Sequence, residues 1–392
     1  VSRSATLYLA SPEDLGPALA TLAGRPVAFR AVLAAVRAGC ATVYVPAVFR
    51  HSPLERAVAA SPPARAAVRW LEAGAVPPSE PMLLLPAAAV IPASGLRDLS
   101  KARPTTVLVA SRDSGMPAVV ADPALARALW PALVAARPLG DTLLRALKDD
   151  PRAAAMESGW CVRITSSRGL AEAAERLDSD LGSAVDTRLD VLFHRRLSRP
   201  LSRLAVRWGI SPNVVSVLSL TVGLAAVWCF WRATPVWALV GLALYAAAVV
   251  LDHADGEVAR LTLTESSFGA TFDVVVDTII HALLVIAIGN TAQQVAGGGA
   301  AVIGYVAALG VVASALMTRT SPPAAGSMGS LLNALGNRDG FYAMLALFIA
   351  GLAVLPAALP VLMLVVAAGS HAFWLGRLLA GYLRPKTERK PK

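Results

Sequence analysis

The chain has 392 residues, 56% of them hydrophobic and 16% charged, with a formal net charge of +10. So little charge cannot cover a soluble protein of this length, which excludes a wholly water-exposed fold and points to one soluble and one membrane domain. The positive balance does not mark a nucleic-acid binder, because no basic stripe is interleaved with aromatics and many Arg and Lys residues flank apolar runs, as cytoplasmic membrane flanks do. Cys40, Cys161 and Cys229 lie far apart, with neither disulfide nor zinc spacing, and read as small buried hydrophobes. The opening VSRSATLYLASPEDLG has no basic region ahead of a long apolar core, so no cleaved signal peptide is expected.

The sequence changes character near Ser198. Residues 1–180 read as a soluble α/β domain. Ala5–Ala10 and Thr42–Pro46 are expected strands, and Ala28–Ala38 between them has helical spacing that stops at Gly39. Met82–Leu85 and Thr106–Ala110 are further strands, so the alternation implies a mostly parallel sheet covered by helices. From Leu170 to Arg207 the pattern turns amphipathic. Phe193, Leu197, Leu201 and Leu204 recur at spacings of three or four beside His194, Arg195, Arg196, Arg199, Arg203 and Arg207. Residues 181–210 are therefore expected to form an interfacial linker helix on an anionic leaflet; the alternative is an ordinary solvated face.

Six apolar spans follow, at about 213–231, 236–254, 269–289, 298–317, 340–357 and 359–380, each near the ~20 residues that cross a bilayer. The expected fold class is thus an N-terminal α/β domain followed by an all-α domain of six transmembrane helices, over about 211–385, with a basic tail at 386–392. Basic residues before the first span, Arg260, Arg319 and Arg338 in alternate loops, and the tail residues Arg384, Lys386, Arg389, Lys390 and Lys392 place both termini in the cytoplasm by the positive-inside rule.

Between the second and third spans the sequence reads LDHADGEVARLTLTESSFGATFDVVVDTII. Asp252 and Asp255 are three residues apart and share one helix face; Asp273 and Asp277 are four apart and share a face of the next helix. An antiparallel pair of helices would bring the two faces together. Four carboxylates in one small space do not all stay ionised without cations, and hard oxygen ligands suit Mg²⁺ or Mn²⁺. Two such ions would suit displacement at phosphorus. Gly256, Gly269 and Ala259 keep the faces thin, and Arg260 offers a phosphate-binding fork. A purely structural ion-pair network would leave most of these acids unmatched, since Arg260 alone is close in sequence.

This segment resembles the CDP-alcohol phosphotransferase pattern D-x2-D-G-x2-A-R-x8-G-x3-D-x3-D at Asp252, Asp255, Gly256, Ala259, Arg260, Gly269, Asp273 and Asp277. The likeness extends over about 190–385, including the SPN turn at Ser211–Asn213. It implies a six-helix membrane fold, a homodimer, and two divalent cations. It implies transfer of a phospho-alcohol group from a CDP-linked alcohol, either CDP-diacylglycerol or CDP-inositol, to an alcohol or polyol-phosphate acceptor such as an inositol phosphate, with release of CMP. Residue by residue, it implies that Asp252, Asp255 and Asp273 are metal ligands and that Asp277 is the general base, also able to touch metal. Gly256, Ala259, Arg260 and Gly269, with Asp252 and Asp255, would belong to the cytidine-diphosphate site. Asn213 would either cap the first span or reach the nucleotide. Arg338, Arg319 and Arg377 are candidates for a phosphorylated acceptor, with ordinary flanking as the alternative. His281, four residues after Asp277, is either a second-sphere partner or a packed polar residue.

The segment AGRPVAFRAVLAAVRAGCATVYV resembles the start of sugar nucleotidyltransferases, and the domain order resembles inositol-1-phosphate cytidylyltransferase fused to di-inositol-phosphate-phosphate synthase. Three departures follow: ATLYLASPEDLG lacks the Gly-rich loop with Arg, and MLLLPAAAVIP and CVRITSSRG each lack a metal-binding Asp. The resemblance therefore implies a degenerate nucleotidyltransferase-like domain. Competing readings are a bifunctional enzyme that also makes the CDP-alcohol, a transporter using the acids as an ion path, and an inactive scaffold.

Overall fold

In the computed structural model the backbone is described for residues 4–103, 106–108, 116–156, 159–182, 187–320 and 337–383. The chain divides into two compact units, the first up to Leu181 and the second from Gly182 onward, with Leu261–Leu263 grouped with the first.

The first unit is built on a seven-stranded sheet: β1 (Ser4–Tyr8), β2 (Thr42–Pro46), β3 (Val68–Leu71), β4 (Met82–Pro86), β5 (Thr106–Leu108), β6 (Ala118–Ala121) and β7 (Ala154–Ala155), in spatial order 7-5-6-4-1-2-3. The pairs β1–β2, β1–β4, β2–β3 and β5–β7 are parallel, while β6 runs antiparallel to both β4 and β5. The predicted strand Thr106–Ala110 is present over Thr106–Leu108, and its last two residues lie outside the described ones.

The near-continuous apolar runs are explained by burial on both faces. Along β4, Leu83 and Leu85 join the core under the helix Val27–Arg37, whereas Met82 and Leu84 point to the other face, under the helices Pro123–Val134 and Gly140–Lys148. The helix Val27–Arg37 ends where Gly39 takes a φ of 99°, in the left-handed region that favours glycine. The loop after β1 is closed on its own acid. Asp14 accepts from the Ala10 backbone N–H at 2.8 Å and from Arg163 Nη2 at 2.6 Å. Its carboxylate is therefore spent within the fold.

The second unit is helical. A helix opens after Thr187, passes through a π-helical turn at Asp190–His194 and continues as α1 (Arg195–Arg207). Then come α2 (Pro212–Trp231), α3 (Pro235–Thr262), α4 (Ser267–Ala296), α5 (Ala300–Thr320), α6 (Arg338–Val354) and α7 (Leu359–Leu383). Among the described residues, five helices are long and apolar enough to cross a membrane, namely α2, α3, α4, α5 to Met317, and α7 with its preceding 3-10 turn. The fifth predicted span, 340–357, corresponds to α6, which has 17 residues.

Small residues set the close approaches. A Cβ at Gly289 of α4 would lie 2.8 Å from the Gly304 Cα of α5, so these backbones meet where neither carries a side chain. Ser219 donates to the Ala248 carbonyl at 2.8 Å, tying α2 to α3, and Thr291 donates to the Phe230 carbonyl at 2.6 Å, tying α4 to α2. In an apolar surrounding these hydroxyls satisfy themselves on neighbouring helices, because water does not reach them.

The amphipathic stretch holds two helices: Ser167–Ser179 belongs to the first unit, and 190–207, within the expected linker at 181–210, belongs to the second. Its polarity is also informative. Phe193, Leu197, Leu201 and Leu204 are exposed, whereas Arg195, Ser198 and Ser202 are buried. The outward side thus carries these apolar residues beside the exposed Arg196, Arg203 and Arg207, a mixture that suits a helix lying at a lipid headgroup surface.

Candidate active site

Two helix ends and one turn bring the acids together. α3 runs on for about three turns past Leu251, carrying Asp252 and Asp255 on one face. The chain then reverses through Leu263–Ser266, where Leu263 adopts a φ of 58° and the Thr264 N–H reaches back to the Ala259 carbonyl at 2.9 Å. The side chain of Ser266 caps α4 by accepting from the Gly269 N–H at 3.0 Å. Asp273 and Asp277 follow on the face that Gly269 begins.

Asp252, Asp255 and Asp273 each bring a carboxylate oxygen within 4.8 Å of the other two. Asp255 is buried and accepts a short hydrogen bond from Ser216 Oγ of α2. Asp252 accepts from Arg338 Nη2 of α6 at 2.9 Å. Three acids this close repel one another unless cations or protons intervene, so the donor set fits a hard divalent ion. Asp277 stands outside that trio. Its carboxylate, about two-fifths exposed, lies 3.3 Å from His281 Nδ1, which also contacts the Asp277 carbonyl at 2.7 Å. The other ring nitrogen of His281 is 2.8 Å from the buried Tyr245 hydroxyl, and Phe341 stands edge-on to the imidazole at 4.3 Å. His281 thus ties Asp277 to an aromatic wall.

The remaining predicted positions divide. Gly256 lies under the Arg260 guanidinium, since a Cβ there would meet Arg260 Nη1 at 3.2 Å. Ala259 is half-buried on the same stretch of α3. Ser211, not Asn213, occupies the N-cap of α2, and Asn213 sits exposed in the first turn. Arg338 reaches the acids directly. Arg377 is buried on α7 with its guanidinium 4.8 Å above the Phe373 ring. The side chain of Arg319 and the basic tail lie outside the described residues.

Three features of the site were not anticipated from the sequence. The first is Asp190. Its Oδ2 accepts from the Thr187 N–H at 2.9 Å, while its own N–H reaches Thr187 Oγ1 at 3.3 Å, the reciprocal pattern of a capping box. Its Oδ1 lies 2.9 Å from His194 Nδ1, 3.1 Å from His253 Nε2 and 3.4 Å from Arg338 Nη1. Burial alone would raise its pKa, but the hydrogen bonds from His194, His253 and Thr187 and the nearby Arg338 charge hold it well below the usual carboxylate range.

The second is His253, which occupies a variable position of the motif yet is buried between Asp190 and Arg338. His194, on its far side, contacts the Tyr342 hydroxyl at 3.0 Å. Asp190, His194 and His253 also have the spacing of a metal site. However, Arg338 Nη1 lies 3.2 Å from His253 Nδ1, so a cation there would sit against a guanidinium. A hydrogen-bonded hub is the better description.

The third is Glu257, fully buried, which accepts from Arg195 Nη1 at 2.8 Å, Ser198 Oγ at 2.8 Å and Ser202 Oγ at 2.6 Å. It locks α1 onto α3 two residues beyond Asp255. The signal the sequence offered was the four-residue spacing of Asp190, His194, Ser198 and Ser202, a polar stripe along one helix face.

Residues 209–375 match the family model described as CDP-alcohol phosphatidyltransferase. The matched segment contains the acid trio, Asp277 and Arg338. Over 82 residues the chain is 40% identical to CDP-diacylglycerol–serine O-phosphatidyltransferase of Mycobacterium leprae (strain TN), a stretch covering 21% of this chain and 26% of the relative. It is 36% identical over 83 residues to the enzyme of that name from Mycobacterium tuberculosis (strain ATCC 25618 / H37Rv), covering 21% and 28%. The chain thus spans about a quarter of the length of these curated relatives. Among solved structures, Mycobacterium tuberculosis phosphatidylinositol phosphate synthase with CDP-DAG bound is similar at 18% identity and a TM-score of 0.40, over 50% of this chain and 99% of that one.

Proposed function

We propose that the second unit is a metal-dependent transferase that moves a phospho-alcohol group from a CDP-alcohol to an acceptor hydroxyl and releases CMP. The observation that carries this reading is the convergence of Asp252, Asp255 and Asp273 at the ends of two apolar helices. Carboxylates placed there are expensive unless they do something. The matched family segment and the named activity of the mycobacterial relatives favour CDP-diacylglycerol over CDP-inositol as donor.

The trio would hold two divalent ions, Mg²⁺ or Mn²⁺, which when bound draw electron density from the phosphate oxygens and lower the barrier to displacement. Asp277 takes the proton from the acceptor hydroxyl, and His281 orients its carboxylate. The freed oxygen bonds to the phosphorus carrying the alcohol as the bond from that phosphorus to the CMP oxygen breaks. Gly256 lets the Arg260 guanidinium lie flat on α3, where it faces the pyrophosphate. Ala259 and Gly269 leave room for the nucleotide, Asn213 lines its approach, and Arg338 faces the acceptor side, with Arg319 and Arg377 as further contacts. α6 completes a six-span membrane domain that works as a homodimer, with both termini in the cytoplasm.

The test is CMP release by the purified full chain with CDP-diacylglycerol, and separately with CDP-inositol, against serine, polyols and polyol phosphates. The expected result is CMP release that needs both Mg²⁺ or Mn²⁺ and an acceptor, stops with EDTA, and yields a lipid-soluble product. Release unchanged by EDTA would overturn the reading, and an ion flux without CMP release would favour the transporter alternative.

For the first unit we propose a nucleotidyltransferase-like fold without cytidylyl transfer, because the loop after β1 closes on Asp14 and Arg163. With CTP and alcohol phosphates, residues 1–180 are expected to incorporate no label into CDP-alcohol, and measurable incorporation would refute this.

A further inference from the structure

Asp252 has two tasks. One carboxylate oxygen, Oδ2, accepts from Arg338 Nη2 at 2.9 Å, and the group also belongs to the trio with Asp255 and Asp273. A carboxylate so engaged cannot rotate freely, so its orientation toward the trio is set by where the guanidinium stands. That guanidinium is a rigid planar fork, so fixing one nitrogen fixes the other. Its Nη1 is 3.4 Å from Asp190 Oδ1.

Asp190 is in turn well anchored. It is 3% exposed, and its oxygens meet the Thr187 N–H, His194 Nδ1 and His253 Nε2. His194 is braced against Tyr342, and His253 lies 3.0 Å from the Val249 carbonyl through Nδ1. The charge balance favours the same arrangement. The Asp190 carboxylate offsets the Arg338 guanidinium, so the pair can steer Asp252 without adding net positive charge beside a cation.

We propose that Asp190 is a positioning residue for the acid trio, holding Arg338 so that Arg338 fixes the Asp252 carboxylate in its ligating orientation. This rests on the metal reading of the trio. Groups that hydrogen-bond to ligating carboxylates commonly control metal affinity by about 10–100-fold when changed. Asp190 supplies that control from a separate helix, 62 residues before Asp252 in the chain.

The experiment measures Mn²⁺ binding to the full chain in detergent by the loss of the free-ion electron paramagnetic resonance signal. Four proteins are compared: the parent, Asp190→Asn, Arg338→Gln and the double variant. Asp190→Asn is expected to weaken Mn²⁺ binding about 10–100-fold, because it both frees the guanidinium and leaves its charge uncompensated. In the Arg338→Gln background the same change should cost almost nothing, because there is no guanidinium left to position.

Parent-like affinity in Asp190→Asn overturns the proposal, and so does a full loss that persists in the Arg338→Gln background. If Asp190→Asn alone does not fold, the double variant against Arg338→Gln still decides, since a tenfold gap between those two would refute the route through Arg338. A parent chain that binds no Mn²⁺ sinks the metal reading itself, whereas a Mn²⁺-binding parent with an unaffected Asp190→Asn sinks the positioning role alone.

Discussion

Asp277→Asn is expected to cut CMP release by about 10²–10⁴-fold, the usual contribution of a positioned general base. The amide matches the carboxylate in size and can still accept from His281 Nδ1, which lies 3.3 Å from the present oxygen. It cannot take a proton from an acceptor. Because Asp277 is partly exposed and lies outside the trio, the substitution should leave Mn²⁺ binding and the thermal midpoint near those of the parent. That combination separates a base from a ligand. Parallel loss of turnover and metal affinity would reassign Asp277 to the metal site, and retained turnover would remove it from the chemistry.

Glu257→Ala is the substitution with the largest expected effect on stability. The side chain is 0% exposed and its two oxygens serve Arg195, Ser198 and Ser202, all on α1. Removing one partner of a buried ion pair typically costs about 3–5 kcal/mol, because the remaining charge stays desolvated. Glu257→Gln should cost less, since the amide oxygen still accepts on one side, from Ser198 or Ser202. The measurement is unfolding in detergent followed by circular dichroism, and an Ala variant as stable as the parent would show that α1 is held by something else. Since α1 and the acids share α3, the Ala variant should also lose activity at temperatures where α3 to α7 remain helical.

How far the sequence alone could be read depended on whether a signal was local. The strands of the first unit were legible as apolar runs, and β2 was located to the residue, because β-branched and apolar residues between Gly39 and the helical turn at Ala47 leave little choice. The acid motif was legible because its spacing places side chains on single helix faces, which is a property of one helix at a time. Asp190, His194 and Glu257 were not. Each is a polar residue whose meaning comes from a partner far along the chain, such as Tyr342, 148 residues beyond His194. In sequence, Arg195 is one arginine among several at a membrane flank. Only its inward turn, on the face of α1 away from Leu197 and Leu201, distinguishes it from exposed Arg196.

The leucines that α1 leaves exposed bear on where the proposed reaction would take place. Its leucines seek hydrocarbon on one side while Arg195, Ser198 and Ser202 are fastened to Glu257 on the other, so the altitude of that helix in a bilayer also dictates the altitude of α3. From Glu257 to Asp252 is five residues of helix, roughly 8 Å at the ordinary rise. A peripheral helix floating at the lipid surface would therefore hold the carboxylates at headgroup level, where the lipid-anchored donor and water-borne acceptor proposed above could meet without either leaving its own phase.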